Sequence, residues 1–255
     1  MRPQEEKGLI RSSRTSHIEA TRPCVPEGTR IYAIGDIHGR LDLLDEVLAR
    51  IDADMSEHPA PNATRVFLGD YIDRGPDSKR VLDRLISCCV AQPTVCLMGN
   101  HEAYLREFLK NPDILSVWRR YGGLETLLSY GLAPTRKTEA QEHRKLVSEL
   151  NRLLPSSHRE FLSSLKEYLI CGDFFFVHAG VRPGISLTEQ SEDDLLWIRD
   201  DFLQCEDDFG KVVVHGHTPV LEPDVRPNRI NIDTGAYATG RLTCLVLESD
   251  EVRFI

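Results

Sequence analysis

No two cysteines in this chain are spaced as Cys-x-x-Cys. The seven present are Cys24, Cys88, Cys89, Cys96, Cys171, Cys205 and Cys244. An odd count with one adjacent pair fits neither a closed disulfide framework nor a zinc ribbon, and predicts the reduced thiols of a cytoplasmic protein. Long apolar runs are missing too. No stretch approaches the roughly 18 residues of a membrane span, and residues 1–23 have no apolar core of the kind a signal peptide carries. Positive charge is scarce, with 31 Lys+Arg against 40 Asp+Glu and a formal net charge of −9. Six of the cations fall within residues 1–30, so the remainder is more acidic than the whole. Such a body lacks the basic footprint of a nucleic-acid binder. These absences exclude membrane and nucleic-acid partners and leave an ordinary globular chain whose oligomeric state is open.

Residues 1–28 are polar, basic-leaning and contain Pro3, Pro23 and Pro26, which predicts a flexible N-terminal segment before a domain spanning 29–255. The domain opens with a repeated theme. The β-rich run Arg30–Ile34 leads into Gly35-Asp36, and Leu41, Leu44, Val47, Leu48 and Ile51 then recur at helical spacing. Arg65–Leu68 leads into Gly69-Asp70 and a helix carrying Val81, Leu82, Leu85 and Ile86. Thr94–Met98 leads into Gly99-Asn100 and a third helix. Three such units predict an α/β fold that is parallel at its start. Residues 102–166 read as helical, with Trp118, Tyr121, Leu124, Leu127 and Leu128 on one packing face and Gly122-Gly123 dividing two short helices. Thr135–Glu149 reads as a solvated helix face. Strand-like runs follow at Phe174–Val177, Lys211–Val214, Arg229–Ile232, Leu242–Leu247 and Val252–Ile255.

Five of these strands end in a turn that sets Asp, Asn or His beside glycine. Open α/β sheets bind ligands at the carboxyl ends of their strands, so the five turns can converge. Asp36, His38, Asp70, Asn100, His178 and one histidine of the 215–217 pair would supply carboxylate, amide and imidazole donors without thiolate. That set suits Mn²⁺, iron or Zn²⁺. Six donors exceed one tetrahedral ion and suit two ions about 3.5–4 Å apart, bridged by a shared carboxylate. Taken singly, a strand-end Asp caps the next helix and a buried His is a core residue. Five Gly-adjacent turns together make coincidence a poor account.

Gly35-Asp-Ile-His-Gly39, Gly69-Asp-Tyr-Ile-Asp-Arg-Gly75, Gly99-Asn-His-Glu102, His178-Ala-Gly180 and Gly216-His-Thr218 resemble, in order, the signature of the phosphoprotein-phosphatase branch of the calcineurin-like metallophosphoesterases, of the bacterial and phage serine/threonine type. Ile232-Asp-Thr-Gly-Ala236 also fits. The resemblance implies a four-layer sandwich, two central mixed β-sheets flanked by helices. It implies two divalent ions, Mn²⁺ before Fe or Zn, with Asp36 and His38 on the first, Asp70 bridging, and Asn100, His178 and His217 on the second. His215 stands where that branch has no ligand, and supports the shell or meets phosphate. The resemblance further implies His101 as general acid, Asp73 as its orienting carboxylate, and Arg74 and Arg199 as phosphate clamps. Arginine suits that role because it stays charged and binds phosphoryl oxygens bidentately.

The expected activity is metal-dependent hydrolysis of phosphoserine or phosphothreonine in proteins, with small phosphoesters also accepted. The alternative is symmetrical dinucleoside-polyphosphate hydrolysis, disfavoured here because Asp73 is present. A metal-binding scaffold without chemistry is disfavoured because every ligand position and the acid dyad are filled.

Overall fold

Thr29–Ile34 (β1) pairs on one side with Asn62–Phe67 (β2), in parallel, and on the other with Cys244–Glu248 (β9), antiparallel. All but its first side chain are buried, as expected of a strand covered on both faces. Two helices return the chain between the parallel strands. Leu41–Glu57 (α1) buries Leu41, Leu44, Val47, Leu48 and Ile51, the stripe that its periodicity predicts. Ser78–Ala91 (α2) buries Val81, Leu82 and Leu85 before Thr94–Cys96 (β3). With Glu251–Phe254 (β10) the first sheet runs β10-β9-β1-β2-β3. The second contains Tyr168–Cys171 (β4), Phe174–Val177 (β5), Val212–His215 (β6), Asp224–Val225 (β7) and Arg229–Asn231 (β8), in the order β4-β5-β6-β8-β7. β5, β6 and β8 are mutually parallel and the outer strands antiparallel, so both sheets are mixed. This computed structural model describes residues 22–134 and 140–255.

Alternation along the strands makes the layers. Ile31, Ala33, Val66 and Leu68 of the first sheet meet Phe174, Phe176, Val214 and Ile230 of the second. Tyr32, Ile34 and Phe67 point the other way, onto the helices. Phe175, Val177 and Val213 face a third cluster with Leu195 and Phe202. Period-2 alternation thus gives two sheets face to face with helical layers outside, the predicted four-layer sandwich.

Several local expectations change. β4 and β7 were not among the predicted strands; β4 is only half-buried and β7 has two residues, so neither shows a clear apolar pattern. The proposed single face over residues 118–128 does not form. Trp118 and Leu127 are buried, but Tyr121 and Leu128 are 45% and 56% exposed. Gly122, at φ 97°, ends the turn Arg119–Tyr121 and starts the helix Gly123–Ser129 in a new direction. Of the charged stretch 135–149, residues 135–139 lie outside the described residues, and the helix Ala140–Leu153 buries His143, Leu146 and Leu150. Residues 1–21 of the expected flexible segment also lie outside them. Its end is held: Val25 is buried and donates to the Ser249 carbonyl at 2.9 Å, and the Cys24 N–H donates to Asp173 at 3.0 Å. Among the described residues, no helix is long and apolar enough to cross a membrane.

Phe176 is fully buried between the sheets. Phe176→Ala should cost about 3–5 kcal/mol of stability, read from urea unfolding. A cost below ~1 kcal/mol would mean that the sheets are not packed through this ring.

Candidate metal centre and active site

The parallel strands point one way, so their carboxyl ends share one edge. β1 delivers Asp36 and His38, β2 delivers Asp70, and β3 delivers Asn100 and His101 at the start of the helix Asn100–Phe108 (α3). From the second sheet, β5 delivers His178, β6 delivers His217 and β8 delivers Asp233. All are buried. The loops are backbone-strained. His38, Asp70, Asp73, Arg74 and His217 hold positive φ (48°, 53°, 72°, 65° and 66°), and Ser249 is the one other non-glycine residue to do so among the described residues. Gly99 and Gly216 leave room for carboxylates, since a Cβ on either would run into Oδ1 of Asp70 or of Asp36.

The donor geometry calls for cations. His38 Nδ1 donates to the Ile72 carbonyl at 2.9 Å, because a carbonyl can only accept. Its Nε2 lone pair then faces Asp70 Oδ2 at 3.5 Å. His178 Nδ1 likewise donates to the Leu68 carbonyl at 2.9 Å, which turns its Nε2 lone pair on Asn100 Oδ1 at 2.9 Å and Asp70 Oδ1 at 3.3 Å. His217 Nε2 is buried without a partner. Acceptor facing acceptor in a dry site is unfavourable unless positive charge lies between them. Turning the Asn100 amide over would give His178 Nε2 and His217 Nδ1 a donor without an ion, but would leave His217 Nε2 without a partner and His38 against Asp70. Two sets of donor atoms lie within 4.8 Å of one another, His38–Asp70–His101 and Asp70–His178–His217, and Asp70 belongs to both.

Charge states agree with that geometry. Burial lowers His38 and His178 and takes His217 down to about 2, so these imidazoles are neutral, the form that binds metal. Burial alone would raise Asp70, but the imidazole of His101, the one of its histidine neighbours that is itself raised, outweighs burial and holds the Asp70 carboxyl well below the usual range. Asp36 joins neither donor set. Its carboxylate accepts from the His217 N–H at 3.2 Å, and burial with the neighbouring Asp233 and Asp70 pushes it well up. Burial also lifts Asp233 to about 6. Two carboxyl groups crowded in a dry corner are a further demand for positive charge, and the thiolate-free donors fit divalent ions. Asp233 was missed as a site residue, although its strand, running into Asp-Thr-Gly, carried the same signal as the other turns.

His101 Nδ1 hydrogen-bonds Asp73 Oδ2 at 2.7 Å. Burial would lower this imidazole, but Asp70 and Asp73 outweigh it and raise it. Two further donors fix the Asp73 carboxylate: Trp118 Nε1 at 2.6 Å and Thr126 Oγ1 at 2.5 Å. Trp118 is therefore both core packing and a partner of the dyad, which its sequence context did not reveal. Glu102 accepts from the N–H groups of Asp70, Tyr71 and Gly99 at 2.9, 2.8 and 3.1 Å, and so ties the β2 loop to α3. Half-buried Arg74 lies over the Tyr237 ring at 4.5 Å with Nη2 3.3 Å from His101 Nε2. Exposed Arg199 donates to Thr218 Oγ1 at 3.1 Å. Neither arginine has a carboxylate within 4.0 Å among the described residues, unlike a surface ion pair. His215 stands apart, fully buried with its ring edge-on to Phe202 at 4.9 Å; that burial does not suit phosphate contact.

Residues 29–245 match the profile of the family described as calcineurin-like phosphoesterase. The chain belongs to that family. Among its relatives, the bis(5'-nucleosyl)-tetraphosphatase PrpE [asymmetrical] of Anoxybacillus flavithermus is 30% identical over 231 residues, covering 83% of this chain and 88% of the relative. A solved structure of a candidate diadenosine tetraphosphatase superposes with a TM-score of 0.60 at 20% identity, over 92% of this phosphoesterase and 98% of that chain. The cold-active protein-tyrosine phosphatase of a psychrophilic Shewanella superposes at 0.57 and 16% identity, over 91% and 80%. Both structures share the fold. The curated relative is named for dinucleoside tetraphosphates, so family membership holds while the expected serine/threonine branch is not what this relative represents.

Trp118→Phe keeps an aromatic ring but leaves the buried Asp73 carboxylate one donor short. The expected cost is about 1–3 kcal/mol, measured by urea unfolding; stability equal to wild type would mean that the indole N–H does not support the carboxylate.

Proposed function

We propose that this phosphoesterase hydrolyses dinucleoside polyphosphates, cutting one phosphoanhydride bond with water. The observation that carries phosphoryl-transfer chemistry is the set of imidazole and carboxylate acceptors turned on one another around Asp70, beside two arginines that have no carboxylate partner among the described residues. The substrate class is supported by the PrpE relative, and cleavage is proposed to be asymmetrical as in that relative's name. It replaces phosphoprotein as the leading substrate.

Asp36, His38, Asp70, Asn100, His178 and His217 would hold two divalent ions. Such ions, when bound, stabilise charge on phosphoryl oxygens and lower the pKa of water. Arg74 and Arg199 bind the phosphoryl oxygens through their guanidinium forks. Water attacks phosphorus, the bond to the leaving oxygen breaks, and that oxygen takes the proton from His101 Nε2. Asp73 holds the other ring nitrogen and favours the charged imidazole. Trp118 and Thr126 keep the Asp73 carboxylate from turning.

The acid dyad also favours a second reading, phosphoserine or phosphothreonine monoesters. An alkoxide is a poor leaving group and gains most from a placed proton, whereas a nucleoside polyphosphate leaves readily.

After dialysis against chelator the protein should be inactive, and Mn²⁺ should restore activity. With Mn²⁺, kcat/KM for diadenosine tetraphosphate should exceed that for a phosphoserine peptide by at least about tenfold, with ATP and AMP as products. The reverse order would establish the monoester reading, and full activity in excess chelator would exclude metal dependence.

His101→Asn should lower turnover of a phosphoserine peptide by roughly 10²–10⁴ and that of p-nitrophenyl phosphate much less, since the nitrophenolate hardly needs a proton. Equal losses would assign His101 to phosphate binding. Loss of bound metal in the variant would make it a ligand, as its place beside His38 and Asp70 permits.

A further inference from the structure

Three aromatic rings that take no part in the chemistry above line the flank of the site. Tyr104 follows His101 by three residues on α3, and its ring meets the His101 ring at 6.4 Å. Tyr121 stacks on Tyr104 at 5.5 Å and an interplanar angle of 16°. Trp197 meets the edge of Tyr104 at 5.0 Å and lies 6.4 Å from His217. The two ends of this ribbon are fastened to the two arginines. Gly122, next to Tyr121, accepts a hydrogen bond from the Arg74 N–H at 3.3 Å, and Trp197 precedes Arg199 by two residues. Tyr121 stays 45% exposed although it belongs to a stack, which leaves ring surface open to solvent.

We infer that this ribbon is a stacking site for the purine base of a nucleoside phosphate whose phosphoryl group sits at the metal centre. The inference rests on the reading of that centre as a phosphoryl site. A phosphate clamped between Arg74 and Arg199 has its organic group beside the rings that join them. A flat, neutral base gains from an exposed aromatic face, whereas the side chain of a phosphoserine offers no ring to stack. Tyr237, on the His38 side at 5.4 Å, is 41% exposed but already covered by the Arg74 guanidinium. The ribbon is therefore the better platform.

The test is direct binding to the Mn²⁺-loaded protein by calorimetry, comparing AMP with ribose 5-phosphate, which keeps the sugar and phosphate but lacks the base. AMP should bind at least about tenfold tighter. Tyr121→Leu should abolish most of that preference and Tyr121→Phe, which keeps a ring, should retain it. Equal binding of the two ligands by wild type overturns the inference. So does a preference that survives Tyr121→Leu, because the base would then lie elsewhere. Phosphotyrosine binding more tightly than AMP would assign the ribbon to an aryl phosphate instead. Failure of the proposed reaction is read separately: a protein that prefers AMP but leaves diadenosine tetraphosphate intact keeps the base site and loses the hydrolase assignment. One that cleaves it without any AMP preference does the opposite.

Discussion

Asp70 is a carboxylate with almost no exposure, at a residue whose backbone is itself strained, and the architecture around it follows from keeping that charge satisfied. Its oxygens lie within 4 Å of nitrogens from His38, His101 and His178, drawn from three strand ends in two sheets. The His101 N–H donates to it at 3.1 Å, and Glu102 binds the Asp70 N–H from beneath. A buried charge without such partners is strongly destabilising. The loops must therefore meet at one point, and the parallel strands behind them must end level.

Rigidity around the dyad comes from the core. Trp118 and Thr126 sit on elements that follow α3 and pack on the helical side of the first sheet, yet both reach Asp73. Packing and chemistry share the same side chains there, so the imidazole orientation is set by the fold and not by the dyad alone. Exposed Arg199 sits on the short segment between helices Glu192–Trp197 and Asp200–Leu203.

The protein is acidic overall, yet two cations stand at the site. Arg74 and Arg199 lie beside the donor cluster without carboxylate partners among the described residues, while Arg40, Arg182 and Arg241 are each paired with an acid. Two guanidinium groups so placed attract an anion at short range, where salt screens little, even though the net charge of −9 opposes it at long range.

Local periodicity determined much by itself: β1, β2, β5, β6, the helices α1 and α2, and the Gly-adjacent turns that carry the donors. Those features are set by neighbours in the chain, where apolar spacing and glycine report directly on burial and on turn geometry. Only the tertiary structure decided the rest. That Tyr121 is exposed while Trp118 is buried depends on the change of direction at Gly122. Asp36 facing Asp233, and the Trp118 indole reaching Asp73, are pairings across 197 and 45 positions of sequence, for which a residue's own surroundings hold no signal. Edge strands such as β4 and β7 bury too little to leave a pattern. The flanking aromatic ribbon arises because the helix ending at Trp197 comes against Tyr104, on which Tyr121 stacks, both far earlier in the chain, beside the strand ends.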